Sequence, residues 1–252
     1  AVKAEQALRK AKQAGAEAAV VEVLLARSYL QQGRFDELIN ELPARGDDSE
    51  LRGQLLLMHG LAHMELRQHD AAKRAFTESL RLLPNESGPV TGQALVALHD
   101  GSEDLAQELA EQAAVMSPDE PNVWFVKGEI ARARHDSEQS EASYSRAIEL
   151  DSNFVPARLA RARLRIVADR IESALEDLQA VAAVSEDEPQ ANWLHALILS
   201  LRGEQQQAQA LIAKATSRLL RFSTQYIMSH PPSLRLMIVA RLQSNSFEQA
   251  FS

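Results

Sequence analysis

Small residues recur along this chain at a fixed spacing. With the sequence written in a period of 34, one column reads Ala26, Gly60, Ala94, Gly128, Ala162 and Ala196. Twelve residues on, a second column reads Leu38, Ala72, Ala106, Ser140, Ala174 and Ala208. Four further, a third reads Leu42, Phe76, Ala110, Tyr144, Leu178 and Ile212; three further again, a fourth reads Arg45, Ser79, Ala113, Ala147, Val181 and Ala215. The last three columns stand at i, i+4 and i+7, which is the stripe one face of an α-helix presents. Turn signals separate two helices in each period: Gln32-Gly33, Arg67-Gln68, Asp100-Gly101, His135-Asp136, Asp169-Arg170 and Arg202-Gly203. Others separate one period from the next: Pro84-Asn85, Ser117-Pro118-Asp119 and Asp151-Ser152-Asn153. Proline cannot continue a helix, so Pro84 and Pro118 mark where one hairpin stops. Alternating β-branched runs and tight hairpin dipeptides are missing, and no strand is expected. Small residues in the first two columns let helix axes approach closely, and the larger third column fills the space between neighbouring hairpins.

The period divides the chain into the second helix of a truncated repeat (1–18) and six repeats (19–52, 53–86, 87–120, 121–154, 155–188 and 189–222). Near the C-terminus the register slips, because Ala240 follows Ala196 by ten residues more than the period. The expectation is an overlong second helix in the sixth repeat, from about Glu204 to about Met228, with residues 223–232 holding its extension and the Pro231-Pro232 turn. Residues 233–252 then begin a truncated seventh repeat. Such hairpins are too small to bury an apolar face alone and stack on one another. The truncated ends would leave Leu8 and Ala11, and Leu236, Ile238 and Val239, uncapped and open to fraying or self-association. The chain opens at Ala1 with no charged segment leading into an apolar one, so no leader or anchor is visible, and the stretch reads as a slice of a longer protein.

A 34-residue helix–turn–helix unit with these columns resembles the tetratricopeptide repeat. The unit from Asn122 to Asn153 carries Trp124, Gly128, Tyr144 and Ala147 where the family prefers Trp, Gly, an aromatic and Ala, and AAKRAFTESLRLLP (71–84) matches the second-helix consensus. The resemblance implies an all-α fold, a right-handed superhelix of about six hairpins plus partial repeats, with first helices lining a concave face. Three departures carry expectations. Ser152, Glu186 and Leu220 replace the family's closing proline, so those junctions should be softer or more continuous; Leu38 and Arg45 stand where small residues are usual.

The same resemblance places groove-facing positions at the second, fifth, ninth and twelfth residues of each unit. They include Arg27, Leu57, Leu61, Phe125, Glu129, Arg132, Arg163, Trp193 and Leu197, the expected peptide-binding residues. This set is more apolar than a solvated face, as a peptide groove is. The alternative is that these side chains are partly buried between adjacent first helices or under missing repeats. The clamp of Lys, Asn and Arg that grips a peptide's two carboxylates in some family members has no counterpart here.

Composition narrows the partner. With 27 Lys+Arg against 35 Asp+Glu, the net charge is −8; phosphate contacts need a basic excess, so nucleic acid is not the expected ligand. No cysteine excludes disulfides and thiolate metal sites. The longest uncharged stretches, 87–99, 189–201 and 222–234, are too short to span a bilayer. His59 and His63 form an i, i+4 pair in HGLAH, but Gly60 stands where a zinc hydrolase carries its Glu base, and packed or half-exposed histidines are the expectation. No metal or cofactor is expected, and the absence of a nucleophile elbow, phosphate loop or dinucleotide fingerprint argues against an enzyme. Arg158, Arg161, Arg163, Arg165 and Arg170, with Arg132 and Arg134, form a basic island. It reads either as a site for an acidic peptide or charged polysaccharide or, preferred here, as a solvated helix paired with Glu172, Glu176 and nearby carboxylates.

Two segments, LARSYLQQGRFDELINEL (25–42) and SLRLMIVARLQSNSFEQA (233–250), together with the Pro-Pro spacer, resemble a bacterial repeat lipoprotein of exosortase sorting and exopolysaccharide production. That likeness implies a periplasmic, envelope-associated scaffold binding another protein or peptide. A cytosolic peptide-binding adaptor and a structural segment of a larger enzyme remain open.

Overall fold

The computed structural model describes residues 2–14 and 16–219, so the expected extension beyond Leu219, the Pro231-Pro232 turn and the seventh repeat lie outside the described residues. The described residues are all-α, with no strand among them. The helices group into two compact units divided after Pro118. The first holds α1 (Val2–Gln13), α2 (Ala18–Gln31), α3 (Phe35–Glu41), α4 (Ser49–Glu65), α5 (His69–Leu82), α6 (Ser87–His99) and α7 (Glu103–Met116). The second holds α8 (Pro121–Ala133), α9 (Ser137–Leu150), α10 (Val155–Val167), α11 (Ile171–Val184), α12 (Pro189–Leu201) and α13 (Gln205–Leu219). Second helices begin at Phe35, His69, Glu103, Ser137, Ile171 and Gln205, one every 34 residues.

Each column has its place in the packing. Every member of the first column is buried, as is every member of the second and third; in the fourth, Ser79, Ala113, Ala147, Val181 and Ala215 are buried as well. Phe76 shows why the first column must be small. Its ring lies where a Cβ on Gly60, in the same hairpin, would stand, and where a Cβ on Gly92, in the next hairpin, would stand. Tyr144 closes over Gly128 in the same way. Two buried hydroxyls tie the hairpins internally: Ser79 Oγ donates to the Gly53 carbonyl (2.7 Å) and Ser140 Oγ to the Gly128 carbonyl (3.0 Å).

The turn inside each hairpin is one repeated motif. Gly33, Arg67, Gly101, His135, Asp169 and Gly203 all have positive φ, between 57° and 81°. The next residue donates its N–H to a carbonyl five residues back, as Gln68 does to His63 (2.8 Å) and Asp136 to Ala131 (2.9 Å). This arrangement satisfies carbonyls that the helix end would otherwise orphan.

Three expectations are corrected. Arg45 is not in a helix: α3 is only seven residues long, ends at Glu41 and is followed by Pro43, and Arg45 lies exposed in the connection to α4. The chain re-enters a helix early, at Ser49, because the Asp48 side chain accepts the N–H groups of Glu50 and Leu51 (3.0 Å each). The junctions at Ser152 and Glu186 are not more continuous than those at Pro84 and Pro118, since the gap between helices is the same in all four, and the junction at Leu220 lies outside the described residues. Side chains replace the prolines there: Asp151 Oδ1 accepts the Asn153 N–H (2.9 Å), and Glu188 caps α12 by accepting the Gln190 N–H (3.4 Å).

Candidate functional site

Within the first unit, Leu57 and Leu61 of α4 are half-buried and pack, with Met64, on a core of Ala72, Phe76 and Val96. Leu57 Cδ2 lies 2.9 Å from where a Cβ on Gly88 would stand, so this side chain fills the seam between α4 and α6. For these two leucines, burial between adjacent first helices describes the geometry better than an open groove. Arg27 is exposed on α2. The second unit is more open. Phe125 is half-buried, its ring 6.1 Å from Tyr144 and 6.0 Å from Phe154. Trp193 and Leu197 of α12 are also half-buried, and Trp193 packs on the cluster that contains Leu159 of α10, as does the partly buried Ile166. Arg163 lies between those two residues in α10 but is exposed, with no ion pair or hydrogen bond among the described residues.

Glu129 and Arg132 come together. Arg132 Nη2 donates to Glu129 Oε2 (2.8 Å), and the buried Tyr144 hydroxyl donates to Glu129 Oε1 (2.6 Å). Burial and the adjacent Glu129 carboxylate push the Tyr144 phenol well above its ordinary value, so it stays a donor. The hydrogen bond that Arg132 donates to Glu129 strengthens the hold of Arg132 on its proton.

Arg158, Arg161, Arg165 and Arg170 of the basic island pair with nearby carboxylates, as preferred, but with different ones and, for the first three, largely out of solvent. Arg158, Arg161 and Arg165 do not pair with Glu172 or Glu176; all three converge on Asp177 of α11, whose side chain is 1% exposed. The distances are 3.3 Å from Arg158 Nη1, 2.7 Å from Arg161 Nη2 and 3.0 Å from Arg165 Nη1. Arg165 also reaches Glu141 of α9 (2.9 Å), which Arg170 grips from the other side. Arg161 Nη1 donates to Ser145 Oγ (2.9 Å). These arginines bind three helices together, while Glu172 pairs instead with Arg202 (2.8 Å). The signal that could have found Asp177 is its register: it precedes the third-column Leu178, on a stripe that is apolar or small in Ala75, Leu109 and Ser143.

A comparable network ties the start of the first unit. Tyr29 donates to Glu41 (2.7 Å), Arg9 bonds both Glu41 (2.9 Å) and Tyr29, and Glu5 accepts from Arg9 (3.0 Å) and Arg34. A cavity of about 220 Å³ lies beside it, lined by Arg9, Gln13, Leu25, Tyr29, Glu41 and Leu42. Desolvation and Glu41 raise the Tyr29 phenol to about 12. His59 is buried, with Nε2 donating to the Leu42 carbonyl (2.9 Å), while His63 Nδ1 lies 2.7 Å from Gln68 Oε1; the two rings have separate partners. No cluster of three His, Cys, Asp or Glu able to hold a metal occurs among the described residues, and none of their helices is long and apolar enough to cross a membrane.

The tetratricopeptide repeat family model matches residues 57–121 and 91–153. A subunit of the anaphase-promoting complex, subunit 3 of Schizosaccharomyces pombe, is 24% identical over 137 residues; the match spans 54% of this chain but only 21% of that relative's length. Among solved structures, a tetratricopeptide repeat protein from Parabacteroides merdae superimposes with a TM-score of 0.63 at 16% identity, covering 97% of this chain and 92% of its own. A thermophilic repeat protein of Thermus thermophilus gives 0.59 at 20% identity, covering 75% and 97%. At these identities the structural likenesses speak to the fold.

Proposed function

We propose, for a chain that carries tetratricopeptide repeats across residues 57–153, a non-catalytic role as a scaffold that binds another protein through the first-helix face of its second unit. The observation that carries the reading is the combination on that face of half-buried Phe125, Trp193 and Leu197 with exposed Arg163. Large apolar side chains that remain partly wetted beside a charged one are the ordinary makings of a protein contact. The perturbed groups described above serve packing networks: Tyr144 is held by Glu129, and Tyr29 and Glu41, which line the cavity of the first unit, are tied together by Arg9. A relative that is a subunit of a multiprotein complex favours the same role. The cellular setting proposed is the bacterial envelope, on the periplasmic side, in sorting or assembly linked to exopolysaccharide. Its support is the wording of residues 25–42 and 233–250.

A photo-crosslinking amino acid at Arg163 or Leu197, compared with one at exposed Gln179 on the second-helix side, tests the binding face. Adducts with one protein from Arg163 and Leu197 but not from Gln179 are expected. Equal labelling from all three positions would remove the face. Fractionation of the source cells tests the setting, with the protein expected in the periplasmic or membrane fraction and excluded from it if the setting is wrong.

A further inference from the structure

On the first-helix face of the second unit, charges are matched except at one point. Arg132 is held by Glu129, and both oxygens of Glu129 are engaged, one by Arg132 and one by Tyr144. Arg158, Arg161 and Arg165, on the same helix as Arg163, are consumed by Asp177. Arg163 alone of this α10 series points to solvent with no partner among the described residues, on a chain whose net charge is −8. Its neighbours are apolar. Trp193 packs against the cluster that includes Leu159, one turn before Arg163, and against which Ile166, one turn after it, also packs; Phe125 holds the same fifth position as Trp193 in the hairpin before that of Arg163.

We infer that this face takes an acidic–apolar segment of a partner protein, with one carboxylate on Arg163 between two large apolar residues that rest on Phe125 and Trp193. The inference rests on the proposed binding face and names the chemistry of its ligand. Helices packed directly together are typically about 8–10 Å apart, and an extended chain advances about 3.3 Å per residue. The apolar anchors therefore fall about three residues on either side of the acid. An arginine fork receives a carboxylate by paired charge-assisted hydrogen bonds, and the flanking rings give the apolar anchors partly dehydrated seats. A polyanion such as a phosphate chain or sulfated sugar would satisfy Arg163 but leave Phe125, Trp193 and Leu197 uncovered, and so fits the face less well.

The probe is a synthetic peptide, Gly-Ser-Leu-Ser-Ser-Glu-Ser-Ser-Leu-Ser-Gly, titrated into the full 252-residue chain while the indole N–H of Trp193 is followed by NMR. It is distinguished from that of Trp124 with Trp193→Phe. A saturable shift is expected. Replacing the peptide's Glu by Gln should weaken binding about twofold to fivefold, the loss expected when the charge partner of an exposed arginine is removed. Arg163→Glu, at an exposed position, should lose the acidic peptide and gain the counterpart carrying Lys in place of Glu. Equal binding of the Glu and Gln peptides overturns the inference, as does equal binding of a peptide whose leucines are replaced by serine, which would mean attraction by charge alone. No shift with any peptide also overturns it: if the crosslinker at Leu197 still traps a partner, only the acidic class is wrong, and if it does not, the face itself is wrong.

Discussion

Phe76 Cε1 lies 2.4 Å from the place where a Cβ on Gly60 would stand, and 2.5 Å from the place where one on Gly92 would stand. One ring thus fixes how close α4 comes to its own partner helix and how close the next hairpin comes to both.

The first prediction follows directly. Gly60→Ala forces a methyl into a fully buried ring that has no room to move, and overpacking of this kind costs about 1–3 kcal/mol. Gly128→Ala should behave alike against Tyr144. Urea unfolding of Gly60→Ala, Phe76→Leu and the double variant gives the coupling. The pair should lose less than the two single losses added, because the smaller side chain frees the space the methyl needs. Additive losses would show that the ring is not what excludes the methyl.

A second prediction concerns the repeated turn. Arg67, His135 and Asp169 adopt the left-handed conformation that Gly33, Gly101 and Gly203 take at equivalent places. A side chain there costs about 1–2 kcal/mol, offset in part because glycine raises the entropy of the unfolded chain. Both Arg67→Gly and His135→Gly should therefore raise the thermal midpoint, by roughly 0.5–1 kcal/mol in stability. Asp169→Gly should gain least, since aspartate tolerates this conformation best of the three. An unchanged or lowered midpoint for His135→Gly would place the strain elsewhere.

Asp177 supports the third. Its side chain is 1% exposed beneath three guanidinium groups that are themselves 14–16% exposed. Asp177→Ala strands those charges, and breaking a buried pair by removing one partner costs about 3–5 kcal/mol. Glu172→Ala removes the partner of Arg202 at the surface, where a pair is worth about 1 kcal/mol or less. Chemical denaturation of the two variants should differ by at least about 2 kcal/mol. A smaller gap would mean that water reaches the arginines when Asp177 is gone.

How far the sequence carried is clear from particular residues. The periodic small positions were legible because each of them must be small for the same reason, the close passage of helices, and a repeated cause leaves a repeated mark. The turns were legible for the same reason. What broke the period was local. Pro43 ends α3 early, and a single proline outweighs a register extrapolated to Arg45. The junctions at Ser152 and Glu186 were misread because a side-chain cap does the work of a proline without resembling one. Asp177 was hidden because ion pairing depends on which helix faces which, and nearness in sequence, which suggested Glu172 and Glu176, does not fix that. For the proposed face, position in the repeat singled out the candidate residues, but only the packing separates Leu57, which fills the α4–α6 seam, from Arg163, which is exposed.

The last prediction concerns pH. His59 is buried and its Nε2–H donates to the Leu42 carbonyl at 2.9 Å, which leaves Nδ1 as the site where a second proton would add. Burial opposes that proton, and charge on His63 opposes it further, while the carbonyl favours it; the net effect is an affinity below the ordinary histidine value of about 6.5. In the unfolded chain the ring protonates near that value, so at pH below about 6.5 the unfolded state binds more protons than the folded state, and stability falls as pH falls. The contribution is whole above pH 6.5 and is lost downward through the folded-state value. His195, also lowered by burial, acts in the same direction, whereas Glu65, raised by burial, opposes both. His59→Gln keeps a donor for the Leu42 carbonyl without a titrating ring. Between pH 7 and pH 5 the native chain should therefore lose more of its thermal midpoint than His59→Gln does, the difference isolating this ring from the other groups. Parallel midpoints across that interval would show that His59 accepts its second proton as readily folded as unfolded.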